Sequence, residues 1–127
     1  ALWAVTGGIE PDESMADAVI REAWEETGLR TRPVRYVLRM EVLFTCGARQ
    51  RPWTSHVFLA VPAAEPGSPE SLLPHLTPVD THEVEYAEWV TVTRFRADVA
   101  PTLMASGWGR FSYRLAISER LFQELGF

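Results

Sequence analysis

One stretch constrains this chain more than any other. It runs Gly7-Gly8-Ile9-Glu10-Pro11-Asp12-Glu13, then Ser14 to Ile20, then Arg21-Glu22-Ala23-Trp24-Glu25-Glu26-Thr27-Gly28-Leu29. A glycine turn passes through Pro11 and Asp12 to Ser14, a residue suited to N-cap a helix, and Asp17 follows as the acidic half of a capping box. Helical spacing persists to Thr27, with Ala16, Val19, Ile20, Ala23 and Trp24 on one side. Gly28 stands where a left-handed C′ residue ends a helix. With each residue advancing roughly 100°, Glu22, Glu25 and Glu26 share another face. Like charges at this spacing cost a few tenths of a kcal/mol per pair, roughly. Only Arg21, one helical turn before Glu25, offers local relief.

An acid-rich helix face has two readings. It is commonly just solvated surface. It can also be a hard-cation site, because Mg²⁺ takes oxygen ligands, keeps several waters and bridges carboxylates to substrate phosphates. The Gly7-Gly8 turn favours the second, since glycine lets the backbone approach a ligand closely and offer a carbonyl.

The flanking pattern sets the fold class. Leu2 to Val5 reads as a strand. From Val34 to Thr45 the residues Val34, Tyr36, Leu38, Met40, Val42 and Phe44 alternate with Arg35, Arg39 and Glu41, which predicts a long strand. Gly47 to Pro52 reads as a wide turn, and Trp53 to Val61 as the returning strand. Pro62 to His82, with Pro66, Pro69, Pro74 and Pro78, is expected to be a long loop. Val84 to Val92 reads as a further strand, Asp98 to Ser106 as a short helix with Pro101 in its first turn, and Ser112 to Leu125 as a last helix. Strands and helices mix without a regular βαβ repeat, which fits α+β or a three-layer α/β/α sandwich better than a doubly wound fold.

Composition bounds the function. The 127 residues suit a single domain, and at 46% hydrophobic the chain can bury a core. A net charge of -5 argues against long nucleic acid, but not against a small phosphorylated ligand whose charge a metal can balance. No apolar run is long enough to span a membrane, and no signal peptide is visible, so a cytoplasmic protein is expected. Cys46 is the only cysteine; it reads as a half-buried strand thiol. His56 and His75 lack partners at metal-ligand spacing, and Trp108 reads as pocket lining or core cover.

The glycine-to-leucine segment resembles the Nudix box: Gly, five residues, Glu, seven residues, Arg-Glu, a hydrophobic residue, any residue, Glu-Glu, any residue, Gly and a hydrophobic residue. Gly7, Glu13, Arg21, Glu22, Glu25, Glu26, Gly28 and Leu29 match at every spacing. Ala23 stands where a larger aliphatic residue is usual, and Thr6 where proline is common. The resemblance implies an α+β Nudix-like fold, an α/β/α sandwich with a mixed sheet, and hydrolysis of a diphosphate linkage in a nucleoside diphosphate derivative. It implies Glu22, Glu25 and Glu26 as ligands of Mg²⁺ or Mn²⁺ with a backbone carbonyl near Thr6 or Gly7, Glu13 as a support of the loop-helix turn or a contact to the metal through water, and Arg21 as the residue that orients the glutamates. The general base is Glu22 or Glu83, because Glu83 stands six residues before Trp89 as an acid does in some Nudix proteins. The catalytic set it implies is thus Glu22, Glu25 and Glu83.

The resemblance also implies strand structure upstream of Leu2. That strand belongs either to preceding sequence or to a partner chain, the second of which would make the protein a homodimer. Arg39, Arg49, Arg51 and Trp53 on the hairpin could grip phosphate and stack on a base, or simply form a basic turn and a packed tryptophan. Downstream signatures for particular substrates are absent: Phe44 stands where an ADP-ribose type has proline, and Thr45 to Gly47 hold no tyrosine of the dinucleoside polyphosphate type. The second reading is a Nudix-fold module that binds a nucleotide without cleaving it. A diphosphate isomerase would need a catalytic cysteine for which Cys46 has no supporting motif.

Overall fold

A computed structural model describes residues 5–63, 74–107 and 109–127, and the side chains of these except at 109 and 110. The expected strand from Leu2 and the reading of Trp108 fall on residues outside this set, apart from Val5. The described residues form α1 (Met15–Thr27), β1 (Thr31–Cys46), β2 (Arg49–Pro62), α2 (Val92–Arg94), a π-helical segment (Phe95–Val99), α3 (Ala100–Ala105) and α4 (Gly109–Glu124). The fold is α+β, and its sheet is the two-stranded pair β1–β2, with no further strand of the expected mixed sheet among the described residues.

The chain divides into two compact units. Of the described residues, one unit contains Arg35–Leu59 and most of Val92–Phe127, the other 5–34 together with 60–63 and 74–91. In the first, β1 turns into β2 through Gly47 and Ala48 alone, with Gly47 at φ 60. Glycine at the first position of a two-residue turn suits the twist of an antiparallel hairpin. The wide turn expected at Gly47–Pro52 is therefore corrected: Arg49 to Pro52 already belong to β2. The predicted alternation holds from Leu38 to Phe44, where even-numbered residues are half-buried, but Val34 and Tyr36 are exposed. Tyr36 packs edge-on to Phe58 and bonds His56 Nδ1 through its hydroxyl at 2.8 Å, so these three share a face. Phe44 packs on Tyr113 of α4, and Ser55 bonds the Tyr113 hydroxyl. Cys46 is exposed rather than half-buried, because it sits at the strand end beside the turn.

The helical segment begins at Val92, earlier than the expected Asp98, so Pro101 falls inside it. Proline cannot donate an amide bond and its ring collides with the carbonyl four residues back. The backbone widens just ahead of it, with the Ala100 amide reaching Phe95 O, five residues back. The Thr102 hydroxyl takes up Asp98 O at 2.9 Å. Phe95, Val99 and Leu103 on this segment form the buried core of the unit, with Phe111, Leu115 and Phe122 packed around them. The last helix starts at Gly109, a little before the expected Ser112.

In the second unit, Ser14 Oγ accepts the Asp17 amide at 3.1 Å, and Gly28 ends α1 at φ 72 with its amide on Trp24 O. The buried face of α1 is Ala18, Ala23 and Glu26, not the full expected apolar stripe: Ala16 and Trp24 are exposed, and the Arg30 guanidinium lies over the Trp24 ring at 5.0 Å. The expected strand Val84–Val92 is not formed. The Val84 amide is taken by Asp80 O in a helical turn, and the Trp89 indole donates to Pro74 O at 2.9 Å.

Leu103, only 1% exposed, is the best-buried large side chain among the described residues. Leu103→Ala is expected to cost about 3 kcal/mol, within the usual range for leucine truncation in a core. Urea unfolding of the two proteins checks this.

Candidate active site

The second unit builds its acidic centre around Arg21. Its Nε and Nη2 donate to the two oxygens of Glu13 at 2.8 and 3.0 Å, a fork-on-carboxylate pair. Nη1 donates to Glu22 Oε1 at 2.8 Å and to Glu25 Oε2 at 3.2 Å. Nη2 also donates to Gly8 O at 2.8 Å. One cation thus ties the glycine turn, the loop acid and two helix acids. The bond to Glu13, then those to Glu22, hold the Arg21 guanidinium even further above its ordinary pKa. The same bond to Arg21, helped by the Glu10 amide, lowers the pKa of Glu13.

The three helix acids meet different surroundings. Glu25 is the most open, and its Arg21 bond is the longer one. Glu26 is buried at 5% exposure, and its Oε2 accepts the Thr6 amide at 3.2 Å. Glu22 places Oε1 on Arg21, whereas Oε2 is buried without a hydrogen-bond partner. Burial pushes the Glu22 carboxyl up from its ordinary range; Arg21 opposes that, and the charges of Glu25 and Glu83 add to it. A Cβ on Gly7 would overlap the Glu22 carboxylate, so a side chain there would force that carboxylate to move.

The unpartnered buried oxygen of Glu22 is a donor of the kind a divalent cation takes. Among the described residues no three Asp, Glu, His or Cys side chains stand together as a ready-made cage. Arg21 gathers Glu22 and Glu25 on one side, while Glu26 turns to Thr6. Two carboxylates suit a hard divalent cation that completes its shell with waters and substrate phosphates.

The C-terminal end of α1 is tied to the segment that carries Glu83. Glu25 O accepts both the Val79 and Asp80 amides at 2.9 Å, and Thr27 O accepts the Thr77 amide at 2.8 Å. Gly28 packs so tightly on Thr77 O that no side chain fits. Sequence reasoning missed these contacts and the part played by Asp80, although an Asp shortly before a turn is a recognisable turn signal.

The structure brings together Gly7, Gly8, Glu13, Arg21, Glu22 and Glu25, with the charge of Glu83 acting on Glu22, whereas Glu26 turns to the Thr6 amide. The hairpin residues considered for substrate belong to the other unit. There Arg39 pairs with Glu41 at 3.5 Å, Arg51 lies over the Trp53 ring at 5.4 Å, and Arg49 and Arg51 line an open groove with Phe44, Thr45, Cys46 and Gln50.

The NUDIX domain family matches residues 2–107, and the chain belongs to that family. Its members are generally hydrolases of phosphoanhydride bonds that use divalent metals and bind small nucleotide-like substrates. No solved structure gives a significant match. No helix among the described residues is long and apolar enough to cross a membrane.

Glu13 yields a pH prediction. A carboxylate whose pKa is lowered on folding stabilises the fold above the ordinary carboxylate pKa of about 4, and this contribution is lost as pH falls through the lowered value. Glu13→Gln is expected to melt below the native protein at pH 7, with the gap closing as pH drops below about 4. Thermal melts of both proteins between neutral and acid pH measure this.

Proposed function

We propose that this protein is a metal-dependent pyrophosphohydrolase that cleaves the diphosphate linkage of a nucleoside triphosphate, a nucleotide-sugar or a similar nucleoside diphosphate derivative. The observation that carries the reading is the Glu22 carboxylate, with one oxygen held by Arg21 and the other buried, unpartnered and set against Gly7. Glu22, Glu25 and Glu26, with the Gly7 carbonyl, would hold Mg²⁺ or Mn²⁺. Bound there, the cation neutralises diphosphate charge, aligns the attacking water and lowers its pKa.

The chain's own residues do the rest. Arg21 fixes Glu22 and Glu25 through a single nitrogen, and through Gly8 O and Glu13 it fixes the turn beside them. The water oxygen bonds to phosphorus, the bridging P–O bond breaks, and the leaving phosphate carries the bridging oxygen. The proton of the water passes to a carboxylate, Glu22 or Glu83. Arg39, Arg49, Arg51 and Trp53 are proposed to bind substrate phosphate and base.

The test is a panel of nucleoside triphosphates, nucleotide-sugars and dinucleotides incubated with Mg²⁺ or Mn²⁺, with released phosphate read before and after added phosphatase. Metal-dependent release is expected, falling at least about a hundredfold in the Glu25→Gln, Glu26→Gln double variant. Silence across the panel from folded protein would instead support a nucleotide-binding module without hydrolysis.

A further inference from the structure

The final turn of a helix leaves carbonyls without intrahelical partners. In α1 these carbonyls lie next to the metal-binding acids, and what caps them bears on the site. The amides of Thr77, Val79 and Asp80 supply the cap. Asp80 does more than the other two. Its amide donates to Glu25 O at 2.9 Å, its own carbonyl accepts the Val84 amide at 3.1 Å, and its Oδ1 accepts the His82 amide at 3.2 Å. One residue therefore fixes both ends of the turn 80–84, which contains Glu83, and fastens that turn to the peptide of Glu25.

We propose that Asp80 is a positioning residue that holds Glu83 in register with the carboxylates of α1. This rests on the hydrolase reading and on Glu83 acting in the reaction. The side-chain part of the joint is the bond to the His82 amide; the other bonds are backbone. Asparagine preserves that acceptor and removes only the charge, whereas alanine removes the acceptor. The arrangement explains why an acid on a loop can serve a site on a helix: the loop's backbone is hydrogen-bonded to that helix.

The experiment compares the native protein with Asp80→Ala and Asp80→Asn, each alone and in a Glu83→Gln background. Amide hydrogen exchange at His82 and Val84 is expected to speed up in Asp80→Ala and to stay native-like in Asp80→Asn. With Mg²⁺ and whichever substrate of the panel turns over, kcat is expected to fall about tenfold in Asp80→Ala at nearly constant KM, as expected when a reacting group loses its alignment. Asp80→Asn restores it. In the Glu83→Gln background Asp80→Ala adds no further loss, because the two substitutions disable one unit. Unchanged exchange overturns the joint, and an undiminished kcat or a full additional loss without Glu83 overturns the positioning role. A native protein that turns over no substrate at all overturns the hydrolase reading and this role with it, while the exchange result still judges the joint.

Discussion

The acidic site of this protein depends on one guanidinium. Three glutamates on adjoining positions of a helix repel one another, and two of them are largely withdrawn from water, where repulsion grows stronger. Arg21 answers this by spreading its donors over Glu13, Glu22, Glu25 and the Gly8 carbonyl. Breaking such a network leaves charges buried without a partner, which costs far more than the loss of a surface ion pair. The arrangement also leaves capacity unused. Arginine satisfies one oxygen of Glu22, and the other remains buried and unpartnered beside a glycine. A site meant only to be stable would have no use for that oxygen.

Glycine enters the site twice for unrelated reasons. Gly7 gives room for the Glu22 carboxylate, and its place is dictated by a side chain. Gly28 adopts φ 72 and meets the Thr77 carbonyl, so its place is dictated by backbone on both counts. The second lets the segment from Thr77 to Asp80 lie close against the helix end and cap it. The helix that carries the acids is thus fixed at its start by Ser14 and Arg21 and at its end by a distant loop.

Much of this was legible in the residues. The helix, its Ser14 cap, its Gly28 stop and the gathering of Arg21 with the glutamates all follow from local spacing, which a sequence displays directly. The two hairpin strands were legible from alternation, but the turn was not: a run of polar residues from Gly47 to Pro52 read as loop, while Gly47 and Ala48 alone make the reversal. The apolar alternation after Val84 suggested a strand, yet Tyr86, Trp89 and Val90 are exposed, and the turn fixed by Asp80 takes the Val84 amide. Contacts between residues far apart in the chain, such as Asp80 with Glu25, leave no periodic trace. The π-helical widening before Pro101 likewise arises from packing around Phe95 and Leu103 rather than from any local motif.

The central claim is that this helix face binds a divalent cation, and direct titration with Mn²⁺ followed by electron paramagnetic resonance tests it without reference to any substrate. The account predicts that the native protein depletes the free Mn²⁺ signal and that Glu26→Gln weakens the binding at least about tenfold. Equal binding by the two proteins, or none by the folded native protein, would contradict it.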